Sequence, residues 1–341
     1  METKYLTEQK LQQAAEILKR GGLLGIPTET VYGLGANGLN ETAVANIFKA
    51  KGRPQDNPLI LHIPDAGWLD RYCTDIPDSA YVLAAKFWPG PLTMILKRRD
   101  IVPDIVTANL DTVGMRCPDH TLCRKIIAAA DVPVAAPSGN TSGRPSPTTA
   151  EHMLEDMNGK IDAIMEGGAC NVGVESTIID LTCTPPRLLR PGGVTLEQLR
   201  EVLGPVDVDA AVTRILQEGE KPRAPGMKYR HYAPKAPVTV VTGDPDRGAA
   251  YIAENVAAGD GVICFDEYAE QFRTLTDAAL VMSLGPAADK GEQARRVFDA
   301  LRRFDHTAVS AIWAQCPDAS GIGLAIANRL NKAAGFHIIE V

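Results

Sequence analysis

Short strand-like apolar runs alternate with amphipathic helical stretches over the first two-thirds of the chain, and the alternation starts afresh after a proline-rich break. That pattern points to an α/β fold. Thr7 is expected to N-cap a helix whose stripe is Leu11, Ala14, Ala15, Ile17 and Leu18, stopped by Gly21 and Gly22. Residues 23–26 read as a short buried strand, and Asn40 as the cap of a helix carrying Val44, Ile47 and Phe48 on one face. Residues 59–63, 92–96, 132–136 and 177–181 are strand-like. Thr195 and Gln198 make a capping box for a helix ending near Gly204.

Residues 205–237 differ in character. Pro222, Pro225, Pro234 and Pro237 break regular structure, while Lys221, Arg223, Lys228, Arg230 and Lys235 make the stretch basic. It reads as a linker between a first domain, 1–204, and a second, 238–341. In the second, strands are expected at 238–241, 261–265, 309–313 and 336–341, and helices at 247–257, 292–303 and 322–334. About a hundred residues suffice for a small doubly wound domain. The full 341 residues exceed one ordinary core and suit two domains.

Hydrophobic residues at 45% and charged ones at 23% are ordinary for a globular protein. No apolar run approaches the ~18 residues of a membrane span. The polar start leads into an amphipathic helix, so no signal peptide is expected and the predicted location is the cytoplasm. The seven cysteines are scattered and never spaced Cys-x-x-Cys, which argues against a disulfide framework or a structural zinc site. A net charge of -7 excludes a global basic field for nucleic acid but leaves a local basic groove open.

Gly33-Leu34-Gly35-Ala36-Asn37-Gly38 matches the dinucleotide fingerprint, yet polar Pro27-Thr28-Glu29-Thr30 precedes it where a buried strand is required. Gly159-Lys160 lacks the rest of a phosphate-binding P-loop. A second cluster runs from Lys51 to Pro58, where Lys51 and Arg53 flank a glycine and can aim two cations at one polyphosphate. A third, residues 135–146, follows a strand and is rich in hydroxyls and amides. Arg116 and Arg190 each end an apolar stretch, where a guanidinium needs an anion. Taken singly, each has an ordinary explanation: a solvated turn, a generic loop, an internal salt bridge, or, for His62, a structural histidine.

Taken in order, these segments resemble one family closely. They are Pro27-Thr28-Glu29-Thr30-Val31-Tyr32-Gly33-Leu34-Gly35, Lys51-x-Arg53-Pro54, Asn57-Pro58-Leu59, Ala136-Pro137-Ser138-x-Asn140, Glu175-Ser176-Thr177-Ile178 and Arg190-Pro191-Gly192. The chain resembles the L-threonylcarbamoyladenylate synthases, in the long form with an extra C-terminal domain. Residues 225–234 and 321–330 support the long form. The resemblance implies a YrdC-like twisted open sheet with a concave groove, followed by a smaller Rossmann-like doubly wound domain.

It implies further that L-threonine, bicarbonate or carbon dioxide, and ATP react to threonylcarbamoyl-AMP and pyrophosphate. Other proteins would then transfer the threonylcarbamoyl group to the tRNA adenosine beside the anticodon. Carried over residue by residue, Lys51, Arg53, Asn57, Thr112, Ser138, Asn140, Ser146, Arg190 and Tyr232 would serve ATP, with Lys51 and Arg53 catalytic. Thr30, His62, Arg116, Ala136 and Ser176 would hold threonine. Magnesium is expected to arrive with ATP, and no protein ligand for it is evident. Tyr229, His231 and Tyr232 would fold over the mouth of the first domain. Other readings are an RNA- or tRNA-binding module without catalysis, carbamoyl transfer in hydrogenase maturation (whose cysteine clusters are missing here), and a regulatory nucleotide-binding protein.

Overall fold

The computed structural model describes residues 2–214, 224–225 and 232–341. They form two compact units. One comprises Met1–Ser142, Ser146–Asn171 and Glu175–Lys228; the other comprises Gly143–Pro145, Val172–Val174 and Tyr229–Val341.

The first unit is built on β1 (Lys4–Leu6), β2 (Leu24–Ile26), β3 (Gly33–Asn37), β4 (Ile60–His62), β5 (Leu92–Lys97), β6 (Thr112–Arg116), β7 (Val134–Ala135), β8 (Ala163–Met165), β9 (Thr177–Asp180), β10 (Arg187–Arg190) and β11 (Asp207–Val208). They make one mixed sheet in the order β1-β8-β2-β3-β7-β4-β6-β5-β9-β10-β11. The helices Leu11–Lys19 and Thr121–Ala130 bury Ala14, Ala15, Ile17, Leu18, Ile126 and Ile127 in one core with Leu24, Ile26, Ala163 and Met165. Burying each of the leucine, isoleucine and methionine side chains stabilises by roughly 1.5–3 kcal/mol, and each alanine by less.

Local signals behave as their chemistry requires, with instructive exceptions. The Asn40 side chain accepts from the Ala43 N–H, and Thr195 and Gln198 form a complete capping box. Thr7 occupies the N-cap position of a 3-10 turn, Glu8–Lys10, that precedes the α-helix, and it makes no side-chain cap bond; the N-cap of the α-helix itself is Lys10. The Gly33–Gly38 run is mostly strand, not a phosphate loop. A Cβ at Gly35 would stand 2.9 Å from Val134 Cγ1, and one at Gly38 2.5 Å from Leu61 Cδ2. Those glycines admit neighbouring strands. The first unit also continues past residue 204, since β11 pairs parallel with β10 inside the stretch read as linker.

The second unit contains β12 (Val238–Thr242), β13 (Gly261–Cys264), β14 (Val281–Ser283), β15 (Ile312–Gln315) and β16 (Ile338–Glu340). All pairings are parallel, in the order β14-β13-β15-β12-β16. The expected parallel sheet is present, but β15 stands between β12 and β13, unlike the order of the dinucleotide-binding fold. Helices Pro245–Asn255, Lys290–Arg303 and Gly323–Ala333 connect the strands.

One glycine locks the far side of the first sheet. A Cβ at Gly192 would lie 2.3 Å from Thr177 N and 2.4 Å from Glu175 O, both backbone atoms that can shift only at a cost. Gly192→Ala is expected to destabilise the protein by on the order of 3 kcal/mol, through forced displacement of residues 175–177. Thermal unfolding of the variant beside wild type measures this.

Candidate active site

Strand register brings the first polar residues together. β4 and β6 are parallel with His62 opposite Arg116, and antiparallel β5 sets Thr93 opposite Arg116. Register partners project from the same face of a sheet. Two residues back on that face lie Ile60, Gly114 and Ile95, and Ile60 and Ile95 join Ile178, Leu189, Ala211 and Ala224 in an apolar cluster. A Cβ at Gly114 would meet Ile60, Ile95 and Thr93, each at 3.3 Å. The glycine keeps this face open between its neighbours.

The loop clusters are then tied to that face and to one another. Leu34 N donates to Pro137 O, Gly139 N to Tyr32 O and Tyr32 N to Pro147 O, each at 2.8 Å. Pro137, Gly139 and Pro147 are thereby stitched to the start of β3. Lys51, the last residue of the helix Glu41–Lys51, is buried and donates from Nζ to the carbonyls of Ser138 and Asn140. Ser138 Oγ donates to Asn140 Oδ1 at 2.6 Å. Ser146 Oγ donates to Glu175 Oε1 at 2.6 Å, and Ser176 Oγ shares a 2.8 Å hydrogen bond with Thr93 Oγ1. Arg190 donates from Nε to Ser176 O at 3.0 Å and from Nη2 to Ser176 Oγ at 3.1 Å.

Arg53 lies after the left-handed cap Gly52 and donates from Nη2 to Asn57 O at 3.2 Å. The Asn57 amide satisfies both its atoms when its oxygen faces Arg53 Nη2 and its nitrogen faces Ala224 O, each at 3.2 Å. Arg190 Nη1 reaches Pro225 O at 3.4 Å. Residues 224 and 225 of the proline-rich stretch therefore lie against this face. Lys221, Pro222, Arg223, Lys228, Tyr229, Arg230 and His231 fall outside the described residues.

The most demanding part of the site is a buried trio. Glu29, His62 and Arg116 are 3%, 3% and 4% exposed. Glu29 Oε2 and Arg116 Nη2 approach to 2.7 Å as an ion pair, but without N–H···O alignment. Both Glu29 oxygens, Arg116 Nε and Nη2, and His62 Nδ1 are left without a hydrogen bond. Buried polar atoms seldom stay unpaired, and a group of them around one charge pair suits a small polar ligand.

Of the residues expected to serve ATP, Lys51, Arg53, Asn57, Ser138, Asn140, Ser146 and Arg190 belong to this connected network. Thr112 opens β6, half-buried, opposite Lys97. Tyr232 falls in the second unit, where its ring packs 5.1 Å from that of Phe298. Of the threonine set, Thr30 is buried and hydrogen-bonded to Thr28 Oγ1 at 2.8 Å, and Ala136 N donates to Ile60 O at 3.0 Å. Sequence reasoning reaches neither Glu29 nor Thr93 as a site residue. The signal for Glu29 was its place between two threonines in the first motif; Thr93 carried none.

Two family models match. The Sua5/YciO/YrdC model, described as telomere recombination, covers residues 16–192, and the threonylcarbamoyl-AMP synthase C-terminal domain covers 194–335. A threonylcarbamoyl-AMP synthase of Pyrococcus abyssi is 47% identical, with 98% of this chain and 97% of the relative covered. The chain belongs to the threonylcarbamoyl-AMP synthase family. A Bacillus subtilis threonylcarbamoyl-AMP synthase is 45% identical over 98% of this chain and 95% of its own. The crystal structure of P. abyssi Sua5 complexed with L-threonine superposes with a TM-score of 0.89 at 43% identity, covering 100% of both chains.

Within this member of the threonylcarbamoyl-AMP synthase family, burial and then the neighbouring Arg116 push the His62 pKa down to about 3. The folded state thus binds fewer protons at His62 than the unfolded chain, whose histidines titrate near ~6.5. The stability this preserves above pH ~6.5 declines as the pH falls toward 3, by about 1.4 kcal/mol per unit. His62→Gln is expected to unfold with a shallower pH dependence between ~6.5 and ~4 than wild type. Melting temperatures across that range measure the difference.

Proposed function

We propose that this chain condenses L-threonine, bicarbonate or carbon dioxide, and ATP into L-threonylcarbamoyl-AMP and pyrophosphate, supplying the modification of tRNA adenosine beside the anticodon. The reading is carried by one observation: end-to-end similarity to threonylcarbamoyl-AMP synthases in a chain whose motifs are joined on one sheet face. The carbamate oxygen of N-carboxythreonine attacks the α-phosphorus of ATP, and pyrophosphate leaves. Both reactants are anionic, so the barrier is dominated by charge repulsion and lost orientational freedom. Cations fixed in advance lower both.

In this reading Lys51, Arg53 and Arg190 face the phosphates. Ser138, Asn140, Ser146, Asn57 and Thr112 supply hydrogen bonds. Arg116 takes the threonine carboxylate, with Thr30, His62, Ser176 and the backbone of Ala136 around the remainder. A hydroxyl-binding site rejects apolar isosteres strongly, whereas threonine and serine differ by a methyl worth only ~1–3 kcal/mol. Magnesium enters with the nucleotide, held by phosphate oxygens and water. Among the described residues no group of three or more His, Cys, Asp or Glu side chains is arranged to hold a metal ion.

The product then passes to a tRNA threonylcarbamoyl transferase, and that hand-over is where direct contact with tRNA belongs. Cytoplasmic location fits tRNA modification, and no helix among the described residues is long and apolar enough to cross a membrane. Pyrophosphate release from ATP is expected to need magnesium, L-threonine and bicarbonate together. It should fall by roughly 10²–10³-fold in Lys51→Ala or Arg53→Ala. Release indifferent to threonine would overturn the reading and move the RNA-binding alternative forward.

A further inference from the structure

We propose that Glu29 receives the ammonium group of L-threonine and takes a proton from it as the carbamate forms; the proposal rests on the reading above. A buried guanidinium able to hold a carboxylate cannot stand alone in a protein interior, because an uncompensated buried cation is strongly destabilising. Glu29 compensates Arg116 at 2.7 Å, yet the two are not aligned for a hydrogen bond. Both carboxylate oxygens therefore keep their acceptor capacity, and Arg116 keeps Nε and Nη2 as donors. An internal ion pair placed only for stability would use those atoms on each other.

The unused atoms have the polarity of an amino acid in reverse. A zwitterion can offer its carboxylate to Arg116 and its ammonium to Glu29, leaving the pocket as neutral as before. Glu29 is also held in place. Thr28 Oγ1 accepts from the Thr30 and Val31 N–H groups, both at 3.2 Å, which fixes the backbone on either side of Glu29. Arg116 and His62 are held by the paired strands β6 and β4.

The proton balance gives the carboxylate its second task. Bicarbonate yields carbon dioxide and hydroxide. The threonine ammonium gives one proton to Glu29, and the freed nitrogen lone pair forms the N–C bond as one C–O π bond of carbon dioxide breaks. The nitrogen's second proton is taken by the hydroxide to form water. N-Carboxythreonine is left as the carbamate anion, and Glu29 later returns its proton to solvent. An acceptor beside the nitrogen is needed because a protonated amine has no lone pair.

The test compares L-threonine with 2,3-dihydroxybutyrate, which has a hydroxyl in place of the ammonium, by calorimetric titration of the full chain. Wild type is expected to prefer threonine by about 10- to 100-fold, the scale of a hydrogen bond to a charged group. Glu29→Gln should reduce that preference to within about threefold while leaving ATP binding unchanged. Its pyrophosphate release should keep rising with pH toward the range where the free amine forms, where wild type levels off. Equal affinity of wild type for the two ligands overturns the proposal without any variant. So does a Glu29→Gln protein with wild-type preference and pH profile. Should Glu29→Gln not fold, Glu29→Asp takes its place: withdrawing the carboxylate by one methylene should cut the preference several-fold, and an unchanged preference overturns the assignment. Failure of wild type to bind threonine at all would instead remove the synthase reading.

Discussion

Lys51 ends its helix inside the protein and donates to the carbonyls of Ser138 and Asn140, so that one ammonium ties a helix terminus to the hydroxyl-rich loop. A cation near a helix C-terminus is favoured by the helix dipole, and the loop carbonyls supply the hydrogen bonds that make its burial tolerable. The tie also sets the rest of the face. The loop it holds is stitched to β3, and through Ser146 and Glu175 it reaches the turn before β9. There Gly192 lies against residues 175–177 and Arg190 against Ser176. Segments more than a hundred residues apart in sequence thus share one hydrogen-bonded frame.

The frame surrounds a site where apolar packing would have been the more stable choice. A buried ion pair is commonly matched or exceeded in stability by hydrophobic residues of the same volume. Glu29, His62 and Arg116 nevertheless occupy the interior with several polar atoms unpaired. In the proposed reading their arrangement is preorganisation: the charges are desolvated and oriented before the ligand arrives, so little rearrangement remains for the reaction. The histidine remains neutral beside the guanidinium, because burial and that neighbour both disfavour its charged form.

What was legible in the sequence follows the range of each interaction. The Asn40 cap and the Thr195–Gln198 box depend on residues three apart, and both are present. Strands with β-branched runs, such as β9 and β12, were evident, whereas Arg187-Leu188-Leu189-Arg190 is a strand held by its neighbours despite charged ends. The strand expected at 309–313 begins only at Ile312, because its register is set by β12 and β13. The glycines of 33–38 carried a nucleotide-loop pattern but serve close strand packing, which depends on Val134 and Leu61 far along the chain. For the same reason candidate site residues could be proposed through family motifs, while the Glu29–Arg116 pairing could not.

The strand order of the second unit bears on how the chain reaches its native state. β12 and β13 do not pair with each other, although they follow one another in sequence; both pair with β15, which lies between them. During synthesis the first strand of this sheet must wait some seventy residues for a partner, so assembly is governed by non-local contacts and their loop-closure entropy. Until then its apolar edges are open to association with other chains. A chain terminated before Ile312 would lose the centre of the sheet and not merely an edge.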